Sequence, residues 1–546
     1  MHTKTTYNRR DFIKTSLTGS ALLWATLYAS CRSSEDGLSH IKGSIVGPDS
    51  ATGHLLRNTA ALPRPSRVLQ TDILIIGGGI SGLSAKRWLQ KNGQQNVMLV
   101  EMANHLGGNS HSGKNSTSAY PWGAHYIPVP DVRNTELLDF LREENIITGY
   151  SQSGLPTYND YYLCHDPEER LFINGMWQEG IIPSHGIPES DKKQIKDFLA
   201  RMAAFKSAIG NDERDAFCIP LDNCSADAQY RDLDKISFAS YLTLCGYTSA
   251  YLLWYLEYCC KDDYGCNLEN TSAWAGIHYF ASRKGKGSNA EASTVLTWPE
   301  GNGFLAERLR AQVPGNMHAS QLVYQLQHSE HGIEAYIYDV ASKTSYSVTA
   351  KKIILCTPQF VNKHLLGSLV TDDQKLVREK FHYAPWVIAN ITINDLPDKR
   401  GMPLCWDNVI YGTQSVGYIN ANHQDVKRNL KNVLTFYLPL AKDQPTTARE
   451  YARSKTHKDW LEQIVKELEF AHTGISACIE QVDIWIWAHG MIGPTPGFVW
   501  GEERKLAGAP INDSIFFAHS DLSGVSIFEE AFYQGIKAAK QAMGHI

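Results

Sequence analysis

The stretch from Thr71 to Gly113 constrains this chain more than any other. Asp72-Ile73-Leu74-Ile75-Ile76 is a nearly uninterrupted apolar run, as a parallel strand buried on both faces requires. Gly77-Gly78-Gly79-Ile80-Ser81-Gly82 follows at once. In a strand–turn–helix unit of this spacing, Gly77 allows the tight turn, Gly79 lets backbone approach a pyrophosphate, and Gly82 lets the helix pack closely on the strand. The helix predicted over Leu83 to Asn92 is entered through Ile80 and Ser81. Its free N–H groups and dipole favour a phosphate there without a basic side chain. A second strand, Asn96 to Val100, ends in Glu101-Met102, roughly 20 residues past the glycines, where an acid takes up ribose hydroxyls. These residues predict an α/β fold with a dinucleotide site.

Leu106-Gly107-Gly108-Asn109-Ser110 adds a second glycine pair just after the acid. That pair resembles the flavin amine oxidase superfamily, where a Leu-Gly-Gly segment runs beside the FAD pyrophosphate and which NAD-only Rossmann domains generally lack. The resemblance extends from residue 71 to residue 546. It implies FAD as the cofactor and a discontinuous Rossmann-type FAD-binding domain (71–165, 296–359, 479–546) interleaved with an α+β substrate domain (166–295, 360–478). In Tyr120 to Pro128 it implies that Gly123, Ala124 and His125 touch FAD, against the alternative of a Pro-bounded surface turn. It implies that backbone near Val323 meets the adenine. It implies too that Asp521, closing Ile515-Phe516-Phe517-Ala518-His519-Ser520-Asp521, holds the ribityl or phosphate region, and that Ile527-Phe528 opens a helix beneath the ring.

The amino terminus carries a different signal. Asn8-Arg9-Arg10-Asp11-Phe12-Ile13-Lys14 resembles a twin-arginine export signal, and Ser16 to Ala29 supplies its modest apolar stretch, too short for a comfortable membrane span. Residues 1–31 are read as this signal, which implies passage through the twin-arginine export machinery and a periplasmic or membrane-tethered destination. Tyr28-Ala29-Ser30-Cys31 is similar to a lipoprotein cleavage box, which leaves a lipid anchor on Cys31 and simple cleavage both open. Residues 32–70, rich in Ser, Gly and Pro, are predicted to be a linker.

Across 546 residues the net charge is -5, without a basic tract, so nucleic acid is not an expected partner. The eleven cysteines form no zinc spacing, and Cys259-Cys260 with Asp262-Asp263 lacks the histidines a metal cluster would need. Metal is therefore not expected. Disulfides among Cys218, Cys224, Cys245, Cys259, Cys260 and Cys266 suit an oxidising compartment, with connectivity left open.

Fold and cofactor motifs do not fix chemistry. The expected substrate is a small molecule, an amine first and an unsaturated lipid-like compound second, from which a hydride passes to flavin; a redox-neutral flavoprotein is the rival class. His125 and His489 are the titratable side chains nearest the expected flavin contacts and are the candidate bases, with Trp487 brought toward the ring. Many amine oxidases place a lysine on the strand after the Pro motif. Aligned on Pro385, this chain offers Ala389 and Asn390, which implies a dehydrogenase passing electrons to a quinone or cytochrome in preference to oxygen.

Overall fold

The computed structural model describes residues 37–397, 400–425 and 430–545; the leader and Cys31 lie outside them. Two sheets organise the molecule. The first is built on Val68–Ile76, whose last four residues are buried. It pairs in parallel with Val97–Val100 on one side and Thr344–Leu355 on the other. Ile515–Phe517 continues the parallel set beyond Ile353 to Leu355. Gln321–Ser329 and Gly332–Asp339 add an antiparallel flap. Parallel strands need cover on both faces, which explains the unbroken apolar runs. The helix Ile80–Lys91 and the closing helix Phe528–Ala542 share one face, touching where a Cβ on Gly535 would lie 2.2 Å from the Ser81 carbonyl.

The second sheet has eight strands centred on Ile479–Ile492, Tyr383–Ile393 and Asn432–Pro439. Helices Pro445–Ser454 and His457–Leu468 cover its outer face, where Val387, Ala389 and Ile391 pack with Trp460 and Ile464. The inner face turns Trp386, Ile388, Tyr437 and Trp485 toward the helices Glu189–Lys206, Ala250–Tyr264 and Ala273–Ala281. The architecture is α/β, a discontinuous Rossmann-type domain with an α+β second domain.

Two expectations change, for the linker and for the disulfides. Residues 37–70 are not a loose linker: Ile41 is buried, Ile45–Gly47 joins the second sheet beside Ile484 and Trp485, and the first sheet's strand begins at Val68. Phe238–Leu244 and Ala250–Tyr264 are separate helices because Ser249 caps the second by accepting from the Leu252 N–H. The ten described cysteines are all free thiols, the nearest pair being Cys218 and Cys224 with sulfurs 3.5 Å apart.

Candidate active site

Two spaces adjoin where the domains meet. The first is the crevice above the glycine turns. Gly77 has φ +106°, and a Cβ there would sit 2.7 Å from the Cys356 carbonyl; one on Gly82 would sit 2.0 Å from the Gly77 carbonyl. Both glycines are demanded by the protein's own packing. Gly79 is different: its φ of -72° suits any residue, and an added Cβ would meet only the Gly108 Cα, 3.8 Å away. The two loops are tied by the Gly107 N–H donating to the Gly78 carbonyl at 2.9 Å, so the open slot between Gly79 and Gly108 is held at fixed width. It leads to the N-terminus of Ile80–Lys91, as an anion site requires.

Glu101 closes one end of this crevice. Its carboxylate accepts from the N–H groups of Gly78 at 2.6 Å and Ala103 at 2.8 Å. Burial raises its pKa, opposed by those N–H bonds. Met102 follows, and Val323 is carried in by the Gln321 N–H donating to the Glu101 carbonyl at 2.8 Å. The Ser81 side chain is turned from the slot to donate to the Ala531 carbonyl at 2.8 Å, leaving only its backbone for a phosphate.

The second space is a cavity partly open to solvent. Asn109, Gly123, Ala124 and His125 form the wall it shares with the crevice, and Ile527 and Glu529 line it at the start of the closing helix. Asn109 is fixed by its Nδ2 donating to the Gly490 carbonyl at 2.6 Å. His125 has ring centroids of Tyr437 at 4.7 Å and Trp406 at 5.6 Å. Burial pushes its pKa down to about 4, so the imidazole is neutral at pH 7. Trp487 also lines the cavity, its Nε1 donating to the Trp122 carbonyl at 2.5 Å.

The far wall is acidic. Arg283 Nη2 lies 2.8 Å and 3.1 Å from the two oxygens of Asp263 and 3.2 Å from the Tyr126 hydroxyl. Asp262, beside it, has no hydrogen bond or ion pair among the described residues and lines the cavity. Burial, then the charge of Asp263, pushes its pKa up to about 7. Glu529 is pushed to about 7 by burial, and Asp407 and Glu169 behind the wall are raised, by burial first and then by neighbouring carboxylates. Asn302 adds a buried Oδ1 without a partner, its Nδ2 being spent on the Tyr126 carbonyl at 2.9 Å.

Several expected site residues sit elsewhere. Pairing jumps from Trp386↔Trp487 to Ala384↔Met491, a bulge that turns His489 out of the cavity. Its ring stacks on Phe360 at 4.1 Å, so it cannot act as a base there. The Asp521 carboxylate is buried and already accepts from the Tyr383 hydroxyl at 2.5 Å and the Gln359 N–H at 3.0 Å, with His519 Nδ1 at 2.8 Å. It braces the sheet end, and any cofactor contact from this residue would come from its backbone. Ala389 faces the outer core, and Asn390 bridges the Pro121 carbonyl and the Thr435 hydroxyl at 3.1 Å and 2.7 Å. The cavity-facing positions of that strand are Trp386 and Ile388, so no lysine stands there, for a reason of register that the Pro385 alignment missed.

Missed from sequence were Asp262 and Asp263 as a substrate wall, Arg283, Glu529 and Asn302. The one available signal was the Asp262-Asp263 pair itself, together with an arginine 20 residues on at the end of the next helix.

A family model described as an NAD(P)-binding Rossmann-like domain matches residues 75–143. No curated protein matches the sequence. Among solved structures, a putrescine oxidase redesigned in its cofactor binding superposes with a TM-score of 0.65 at 15% identity, over 87% of this chain and 100% of that one. The fold is theirs. Cyclohexylamine oxidase from Brevibacterium oxydans gives 0.62 at 14% identity over 87% of this chain and 99% of its own. The CLA-producing fatty acid isomerase from P. acnes gives 0.56 at 14% identity over 86% and 97%. The amine oxidase-like fold thus spans nearly the whole described chain, and it carries more than one chemistry among these relatives.

Proposed function

We propose that this chain is an FAD-dependent oxidoreductase that takes hydrogen from a small amine. The observation that carries the cofactor is the Gly79–Gly108 slot: it is the one place in the turn where the absent side chain leaves room the protein itself does not use. The N–H groups of Ile80 and Ser81, the carboxylate of Glu101, and the backbone of Gly107, Gly108 and Gly123 would hold the dinucleotide. FAD, when bound, supplies the acceptor for a hydride equivalent.

The amine reading rests on the wall opposite. A protonated amine must lose its proton before its carbon can be oxidised. The unpaired Asp262 carboxylate can pair with the ammonium and accept that proton on a carboxylate oxygen, its raised pKa matching the task. Arg283 holds Asp263 beside it, and that negative neighbour raises the proton affinity of Asp262. His125, neutral and wedged among aromatic rings, shapes the wall next to the slot. Trp386 and Ile388 keep that side dry. The rival, a redox-neutral enzyme of an unsaturated lipid-like acid, draws support from this same apolar side, but an anionic head group would be repelled by the acidic wall.

Export by the twin-arginine route, an acylated Cys31 and a quinone or cytochrome acceptor complete the proposal. They are supported by the Arg9-Arg10 signal, by the cleavage-like box and by the absence of a lysine at the cavity-facing strand positions. Heat-released supernatant of the purified protein should contain FAD, and FMN, NAD or no nucleotide from folded protein would reject the cofactor.

A further inference from the structure

The bulge that removes His489 from the cavity places it at the centre of a basic face. His54 and Arg57 reach it from the amino-terminal segment, Lys363 and His364 from the helix Gln359–Leu365, Lys380 and His382 from the approach to Tyr383–Ile393, and Arg449 and Arg453 from Pro445–Ser454. The segments are locked together. Arg449 donates to the Tyr383 carbonyl at 3.3 Å, and Leu56 and Phe360 pack on one core. None of Arg57, Lys363, Lys380, Arg449 or Arg453 forms an ion pair among the described residues, although Glu379 and Glu450 are available on the same segments. The charged groups that bear on the four histidines are all basic: Arg57 and Arg453 on His54, Lys363 and Arg57 on His364, Lys380 and Arg449 on His382, and Arg449, Arg57, His54 and Arg453 on His489.

Such a face is unexpected on a chain of net charge -5, which should be repelled by anionic surfaces as a whole. We propose that it is a docking surface for an anionic phospholipid bilayer. Basic side chains without acidic partners suit a head-group layer, where the charges meet phosphates. The choice of a bilayer over an acidic protein rests on the proposed acylation of Cys31. Five residues separate Cys31 from Gly37, a span of at most roughly 20 Å when extended, so an anchored body must lie against the membrane. The chain enters the fold beside the Ile479–Ile492 strand that carries His489, and then supplies His54 and Arg57. One acyl chain holds a protein only marginally, and a basic patch is the usual second contribution.

The test uses the full chain carrying Cys31→Ser, so that no acyl group contributes, in sedimentation with phosphatidylcholine vesicles with and without phosphatidylglycerol. Binding should be about tenfold stronger to the anionic vesicles and should vanish at high salt. Arg449→Glu with Arg453→Glu should remove that preference while circular dichroism stays unchanged. Lys363→Glu with Lys380→Glu is the second variant should the first not fold. Equal partition to both vesicle types, or a preference that survives charge reversal, would overturn the proposal. So would retention on an acidic soluble protein without any on vesicles. Flavin content is read on the same preparations, so loss of the cofactor reading and loss of the docking reading are separately visible.

Discussion

The crevice and the cavity share a wall at Asn109 and Gly123, yet they are made of opposite materials. The crevice is backbone: glycines, N–H groups and a helix end, with one carboxylate, Glu101, held by two of those N–H groups. The cavity is side chains: a buried imidazole, indoles, and an acidic wall with a single arginine. A backbone site admits one shape and takes its charge from peptide dipoles, so its tolerance is steric. A side-chain site takes its charge from groups whose protonation burial can move far from its ordinary pH, so its tolerance is electrostatic.

The sharpest way to break that contrast is Gly79→Val. A Cβ there meets only the Gly108 Cα, 3.8 Å away, and the branched side chain fills the slot, so the variant should fold and melt normally while FAD affinity falls by about a thousandfold, roughly 4 kcal/mol. Gly82→Val, by collision with the Gly77 carbonyl, should instead cost the fold itself. Flavin content and thermal melts of the pair decide it; full flavin in Gly79→Val would show that the slot is not the cofactor's path.

This difference in materials also explains what could be read in advance. The crevice lies in consecutive residues, and the spacing of Gly77, Gly79, Gly82, Glu101 and Gly107 is itself the geometry, so fold and turn were legible. The cavity converges from residues near 125, 262, 283, 302, 386, 487 and 527, each locally ordinary. Asp262-Asp263 read as a failed metal site because sequence does not show that Arg283 takes one carboxylate and leaves the other unpaired. His489 was misplaced for a purely local reason, since a bulge reverses which side of a strand faces inward and no residue type announces it.

Next in size, Asp262→Asn should lower kcat/KM for an amine by about a hundredfold, some 2 to 3 kcal/mol, with flavin content unchanged. For the native protein, kcat/KM should rise with pH through about 7 as Asp262 becomes able to accept the proton. A flat profile, or equal losses on neutral substrates, would remove Asp262 from the substrate wall.

The buried acids give a stability signature as well. Glu529 and Glu530 titrate in the folded protein at about 7 and about 8, both raised by burial, against about 4.3 when unfolded. Between those limits the folded protein holds more protons than the unfolded chain, so stability is greatest near pH 4 to 5 on their account and is lost as pH rises toward 8. Across that window each carboxyl removes at most about 1.4 kcal/mol of stability for every tenfold fall in proton concentration. Glu530→Gln, which keeps an acceptor for the Leu221 N–H, should flatten the melting temperature against pH, and an unchanged slope would mean these acids are not the source.

The smallest effect is expected at the positions that sequence alignment singled out. Ala389→Lys points into the outer core and should cost stability without altering the ratio of dye to oxygen turnover, whereas Ile388→Lys places an amine in the cavity and should raise oxygen turnover relative to dye. The opposite ranking would restore Ala389 to the flavin side.

Whether the slot for FAD opens onto a wall for an amine is decided by titrating the purified yellow protein anaerobically with a panel of primary amines, amino acids and unsaturated fatty acids while following the flavin absorbance. An amine should bleach the flavin band, the fatty acids should leave it unchanged, and Asp262→Asn should slow the bleaching about a hundredfold at full flavin occupancy. Bleaching by none of the amines, together with conversion of an unsaturated acid at constant flavin absorbance, would contradict the amine reading.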